Sequence, residues 1–137
     1  MTTQALTVGQ YMTANPYTVE ATDTVARAHA FLYEHRIRHL PVVRGERLVG
    51  LLTDRDLSLV SMLQDVDPNR VTVEEIMVVG LYKVTPETPL VEVAHEMATK
   101  KIGSAIVTQQ GSVVGILTTV DVCSALVSVL NASTTAH

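Results

Sequence analysis

The chain of 137 residues contains no tryptophan, one phenylalanine and one cysteine. Cys123 has no partner for an intramolecular disulfide, which excludes a small disulfide-stapled scaffold. Basic residues are also scarce. Ten Lys and Arg stand against fourteen Asp and Glu, for a formal charge of −4 and a pI near 5.6. A general nucleic-acid surface needs a basic face to displace counterions from phosphates, so that class is excluded, although a local basic pocket is not. No apolar run approaches the roughly 18 residues that suggest a membrane span. The opening "MTTQALTVGQ" has neither a basic n-region nor an apolar h-region. The expectation is a cytoplasmic protein with no membrane attachment and no nucleic-acid partner.

Catalytic signatures are absent too. There is no Walker A loop, G-x-G-x-x-G fingerprint or G-x-S-x-G elbow. "HEMAT", His95 to Thr99, opens like a zinc-protease helix but lacks the second histidine of H-E-x-x-H. His35 and His39 are four apart, but the spacing straddles a predicted helix end, so they need not share a face for a metal. Nothing assembles a nucleophile with a base and an orienter, so neither an enzyme nor a metal site is expected.

What is present is an aliphatic globular composition, 47% hydrophobic and 18% charged, sufficient for one core or two small half-domains. The chain is also written twice. At an offset of 65 positions, the distance from Val8 to Val73, "VGQYM" (Val8 to Met12) falls on "VEEIM" (Val73 to Met77). "LVGLLTDRD" (Leu48 to Asp56) falls on "VVGILTTVD" (Val113 to Asp121) at the same offset. Tyr17 and Tyr82, Val19 and Val84, Ile37 and Ile102, and Val42 and Val107 pair without a gap. The polar, proline-containing "QDVDPNR", residues 64–70, reads as a linker.

Each copy reads as β-α-β-β-α. In the first, "YTV" is a short strand, Asp23 a plausible N-cap, and Val25, Ala28 and Leu32 the buried stripe of a helix. In the second, Thr88 takes the cap position with Pro89 at the first helical position, and Leu90, Val93 and Met97 repeat the stripe. Paired β-branched runs around "RGER" and "QQGS" suggest hairpins, and "LSLVSML" and "VCSALVSVL" have helical spacing. A unit of about 60 residues is marginal alone. The expected fold is therefore α/β (α+β), two repeats related by a pseudo-twofold axis with two equivalent clefts at the midline. The expected segments are repeat 1 at 8–63, the linker at 64–70 and repeat 2 at 71–130, with flexible ends at 1–7 and 131–137.

The duplication, this element order and the G-h-h-T-x-x-D signature of "GLLTDRD" and "GILTTVD" resemble a pair of CBS domains, the modules first named from cystathionine β-synthase. "HRIRHLPVV" followed by "GLLTDRDL" is similar to small bacterial proteins that consist of a CBS pair and little else. The resemblance covers Val8 to Leu130. It implies adenosine recognition, most often of AMP, ADP or ATP, and in some members of S-adenosylmethionine, NAD or cyclic dinucleotides. It also implies a homodimer whose sequence counterpart is an apolar face on the final helices.

Carried over residue by residue, the resemblance places Asp56 on the ribose hydroxyls with Thr53 beside it, chemistry that a carboxylate and a hydroxyl suit. The base lies against Thr18, Val19, Ile37, Leu40 and Pro41, with His39 in the same run. Arg38 takes a phosphate-contacting position, and Arg55, next to Asp54, offers a second planar fork. The second copy keeps Thr118 and Asp121, with Lys83, Val84, Ile102, Ser104 and Ile106 at matching positions. There Gly103 replaces Arg38, Val120 replaces Arg55 and Thr119 replaces Asp54. Its phosphate half is weaker unless Lys100, Lys101 or residues of the first copy reach across, and the first site is expected to be the better one.

Plainer readings stand beside these. Thr53 and Thr118 suit helix caps, and Asp54, Asp56 and Asp121 suit a helix start through the macrodipole alone. Arg36, Arg38 and Arg55 also fit a solvated rim, and Cys123 fits packing on an apolar helix. The functional expectation is an adenine-nucleotide sensor that binds in the cleft between the repeats and alters the state of an unknown regulated partner or of its own oligomer. A pair specific for S-adenosylmethionine or NAD and a ligand-free dimerisation module are the alternatives.

Overall fold

The structure, a computed structural model, describes residues 5–135. Residues 1–4 and 136–137, part of the ends expected to be flexible, lie outside the described residues. In chain order the elements are α1 (Val8–Tyr11), β1 (Thr13–Ala14), β2 (Val19–Glu20), α2 (Val25–His35), β3 (His39–Arg44), β4 (Arg47–Thr53) and α3 (Asp54–Ser61). A 3-10 turn (Val73–Glu75), β5 (Lys83–Val84), α4 (Leu90–Lys100), β6 (Ser104–Gln109), β7 (Ser112–Thr118) and α5 (Thr119–Thr135) follow. Each repeat has the mixed α+β order expected, but α5 continues past Leu130, where the second repeat was expected to end.

The chain divides into two compact units, residues 16–81 and residues 1–15 joined to 82–137. In the first, β2 runs parallel to β3, and β3 pairs antiparallel with β4. In the second, the order is β1-β7-β6-β5, with β5 parallel to β6 and the other pairs antiparallel. Both hairpins shift register at the matching place, Val42/Val43 and Val107/Thr108. Their two-residue turns differ. Only Gly45 has positive φ in the first, whereas both Gln110 and Gly111 do in the second.

The helices bury the stripes read from the sequence. Val25, Ala28 and Leu32 meet Leu40, Val42 and Leu52 in one core, and Leu90, Val93 and Met97 meet Ala105, Val107 and Leu117 in the other. Both N-caps lie one residue later than expected. Thr24, not Asp23, caps α2, its Oγ1 accepting from the Arg27 N–H at 3.2 Å. Asp23 is occupied one turn earlier, accepting from the Glu20 N–H. Pro89 is the N-cap of α4, not its first helical residue, because the Thr88 hydroxyl accepts from the Thr85 N–H and closes the preceding turn.

The compact units are out of step with the sequence repeats. Val73, aligned in the second repeat, is fully buried among Val25, Leu52 and Leu57 of the first. Its N–H donates to the Asp23 carbonyl, and Val78 bridges Leu51 on the free edge of β4. Val8 does the same for the other unit, buried with Val93 and Leu117, while Thr13 and Ala14 pair with Ile116 and Gly115. The borrowed methionines lie over glycines. A Cβ on Gly50 would run into the Met77 thioether, and one on Gly115 would meet Met12. Residues 64–70 also dock, Pro68 accepting from the Ala26 N–H at the start of α2.

Gly50→Ala is expected to destabilise the protein by about 1–3 kcal/mol through overpacking. In a Met77→Ala background the same change costs clearly less, a coupling that urea unfolding of the double-mutant cycle measures.

Candidate functional site

β4 ends at Thr53, whose extended backbone turns the chain into α3. The Thr53 hydroxyl accepts from the Asp56 N–H at 3.2 Å and donates to Asp56 Oδ2 at 2.7 Å. The plainer reading of Thr53 is therefore real: it is a helix cap. The same bonds hold the half-buried Asp56 carboxylate in one orientation, and Oδ1 takes no hydrogen bond among the described residues. In the second copy the pair recurs with its bonds rearranged. Asp121 Oδ2 accepts from the Thr118 N–H at 2.8 Å and from the Thr118 hydroxyl at 3.2 Å, again leaving Oδ1 unused among the described residues.

The β3–β4 ladder sets what faces this pair. His39 lies opposite Thr53, Leu40 opposite Leu52 and Pro41 opposite Leu51. Strand alternation puts His39, Pro41 and Thr53 on one face and Leu40, Val42 and Leu52 on the face beneath α2. At Leu40, one of the positions expected around a base, the side chain is fully buried in the helix-side core. Val19 and Val84 are likewise spent in the two cores, so these three residues offer a ligand only their main chain. Thr18 and Lys83 are exposed, Ile37 and Ile102 are half-buried, and Pro41, Ser104 and Ile106 are buried.

Arg38 and Asp54 are joined through their backbones, the Asp54 N–H donating to the Arg38 carbonyl. Together with Arg36, Ile37, His29, Tyr33 and the carboxylate of Glu34 they line an open hollow of about 530 Å³ on the α2 side. Neither Arg36 nor Arg38 makes an ion pair among the described residues, and Arg55 is exposed on the first turn of α3. The second copy lacks counterparts to Arg38 and Arg55, Gly103 and Val120 standing in their places, and keeps a cation only at the position of Arg36, where it has Lys101. Lys100 is held by Glu96 at 2.9 Å, a hydrogen bond that raises its pKa, and Lys101 occupies the left-handed position that ends α4.

Sequence reasoning missed an aromatic group beside Thr18. Tyr17 packs edge-on to Phe31 at 5.3 Å and against His35 at 4.3 Å. The i, i+4 spacing of Phe31 and His35 on one helix was the available signal. Cys123, expected to be packing, is exposed on α5. Among the described residues no group of three metal-ligating side chains gathers.

His39 is half-buried, and its pKa is lowered first by burial and then by Arg38. A lowered folded-state value means that the unfolded chain binds the proton more tightly. Stability from this group is present above its ordinary 6.5 and is lost as pH falls below it toward the folded-state value. His39→Gln should therefore show a smaller loss in urea midpoint between pH 7.5 and pH 5 than wild type. Thr53→Ala should cost about 0.5–2 kcal/mol by removing the cap, measured in the same unfolding experiment.

Comparison with known proteins agrees with this architecture. The family model described as the CBS domain matches residues 8–62 and 73–128. The CBS domain-containing protein YhcV of Bacillus subtilis is 31% identical over 106 residues, covering 77% of this chain and 75% of that protein. The crystal structure of CBSX2 in complex with AMP superposes with a TM-score of 0.77 at 27% identity, covering 90% of this chain and 97% of that one. The CBS domain pair of protein MJ0100 in complex with 5′-methylthioadenosine and S-adenosyl-L-methionine gives a TM-score of 0.78 at 26% identity, covering 91% and 98%.

Proposed function

The chain belongs to the CBS-domain family, and from that premise we propose that it is a regulatory sensor whose first copy binds an adenine nucleotide, AMP, ADP or ATP. One observation carries the reading: the Thr53–Asp56 pair, repeated as Thr118–Asp121, holds a carboxylate with one oxygen left to accept from a hydroxyl. A fixed carboxylate suits vicinal ribose hydroxyls, which arrive as donors. Arg38 and Arg55, free of ion pairs among the described residues, supply the charge that phosphate requires. The solved complexes of similar proteins, one with AMP and one with two adenosine sulfur compounds, support adenosine as the common element.

A second reading applies to the second copy. With Gly103 and Val120 in place of the arginines and Lys100 engaged by Glu96, its site lacks a phosphate clamp. That chemistry suits an adenosine ligand without phosphate, such as S-adenosylmethionine.

As a sensor, the protein transmits only as much free energy as the ligand's differential affinity for two arrangements supplies. The proposed output is a change in how it meets a second copy of itself or a regulated protein. The apolar residues Leu59, Met62 and Leu63 around the end of α3, and Leu126 and Val127 on α5, are exposed and suit such contact. Among the described residues no helix is long and apolar enough to cross a membrane, and the proposed setting is the cytoplasm.

The test is thermal unfolding with AMP, S-adenosylmethionine and NADH, for wild type and Asp56→Asn. A native-state ligand at a hundredfold excess over Kd stabilises by about 2.7 kcal/mol, which amounts to several degrees in a protein of this size. Wild type should shift with AMP, and Asp56→Asn should lose most of that shift. An equal shift in both proteins, or none with any ligand, contradicts the proposal.

A further inference from the structure

We propose that His39 is the residue by which the first copy reads ligand charge, taking up a proton as an anionic nucleotide binds, so that binding there, and not at the second copy, is coupled to pH. This rests on the adenine-nucleotide reading above and assigns it a specificity-determining side chain.

The argument begins with a difference between two otherwise matching ladders. His39 pairs with Thr53 in the register in which Ser104 pairs with Thr118. Each Thr in turn holds the Asp three residues on. On the rung facing the candidate ribose carboxylate, the first copy thus has an imidazole and the second a hydroxyl that cannot titrate.

The surroundings of His39 determine which way it responds. It is half-buried and makes no side-chain hydrogen bond among the described residues. Arg38 precedes it in the chain, and α3, which follows its partner Thr53, brings Asp54, Arg55 and Asp56. From β2 and the residue before it come Val19 and Thr18, the nearest charge being Glu20, whose carboxylate accepts from the Gly45 N–H. From the end of α2 come His35, stacked on Tyr17, and Arg36.

Of the carboxylates, Asp56 is already bonded to Thr53, and Asp54 and Glu34, which share the hollow with Arg38, are exposed to solvent. Burial and the adjacent guanidinium therefore lower the pKa of His39 in the free protein. A phosphate brought to Arg38 reverses the sign of the local field and adds an acceptor, which favours the imidazolium. The proton comes from solvent, and no covalent change is involved. Affinity for an anionic ligand then rises as pH falls through the window between the free and bound pKa values. The limit is about tenfold for each unit by which the ligand raises that pKa.

The phosphate monoester of AMP titrates near pH 6 itself, so a probe that does not titrate is needed. The experiment is isothermal titration with the methyl phosphodiester of AMP, which keeps one negative charge. It is run from pH 6 to pH 8 in two buffers of unlike ionisation enthalpy. All proteins carry Asp121→Asn to silence the second site.

Protein with His39 intact should bind at least about threefold more tightly at pH 6 than at pH 8, with a buffer-dependent heat that reports proton uptake. His39→Ser, which installs the residue of the second copy, and His39→Gln should both bind with an affinity flat across this range. A pH slope that survives in both variants, or a flat profile with no buffer dependence when His39 is present, overturns the proton coupling while leaving nucleotide binding intact. Absence of binding by protein with His39 intact at every pH, to this probe and to AMP, overturns both.

Discussion

The structure depends on one contact made twice: a short segment from across the repeat boundary closes the exposed edge of a hairpin. Val73 and Met77 do this on β4, and Val8 and Met12 on β7. Burying a valine contributes about 1.5–3 kcal/mol, a large amount for a unit of this size. The borrowed segment also covers an edge that would otherwise present unpaired amides and carbonyls, the Leu51 and Val78 backbones bonding reciprocally. Thr53 is two residues from Leu51. The strand end that aims the candidate ribose carboxylate is thus fixed by residues twenty or more positions further along the chain.

On this shared frame the two copies carry different chemistry. The strand-to-helix junction keeps its threonine and aspartate in both, because the pair is needed to start a helix whether or not a ligand arrives. Such a junction makes a binding site inexpensive, since the carboxylate is oriented before any ligand is present. Charge is where the copies part. Arg38, His39 and Arg55 in the first become Gly103, Ser104 and Val120 in the second, changes at positions outside both hydrophobic cores.

Most of the fold was legible because the repeat multiplied weak signals. The helical stripes at Val25, Ala28 and Leu32 and at Leu90, Val93 and Met97, together with two hairpins around glycine turns, fixed each copy. The exchange of Val8 and Val73 was not legible, because two copies with the same apolar pattern accept either segment equally well on sequence grounds. The cap positions slipped by one residue where two suitable side chains are adjacent, Asp23 with Thr24 and Thr88 with Pro89, and neighbouring turns decided between them. At the candidate site, Thr53 and Asp56 stood out because T-x-x-D recurs in both copies and matches the family resemblance, whereas the sequence did not show that the side chains of Leu40, Val19 and Val84 are spent in the cores. Which face of a two-sided strand meets the helices depends on register, and register is set by partners far along the chain. Cys123 shows the same limit, since an apolar helix did not reveal which of its faces is covered.

The central claim is that Asp56 is a ribose-binding carboxylate as well as part of a helix start. The most direct measurement is a crystal structure of the protein grown with AMP. The account predicts electron density for the nucleotide with its ribose hydroxyls within hydrogen-bond distance of Asp56 Oδ1, the Thr53–Asp56 bond retained, and the phosphate toward Arg38. Density for AMP away from Asp56, or a well-ordered Thr53–Asp56 junction with no nucleotide beside it at saturating AMP, would contradict it and reduce the motif to a helix cap.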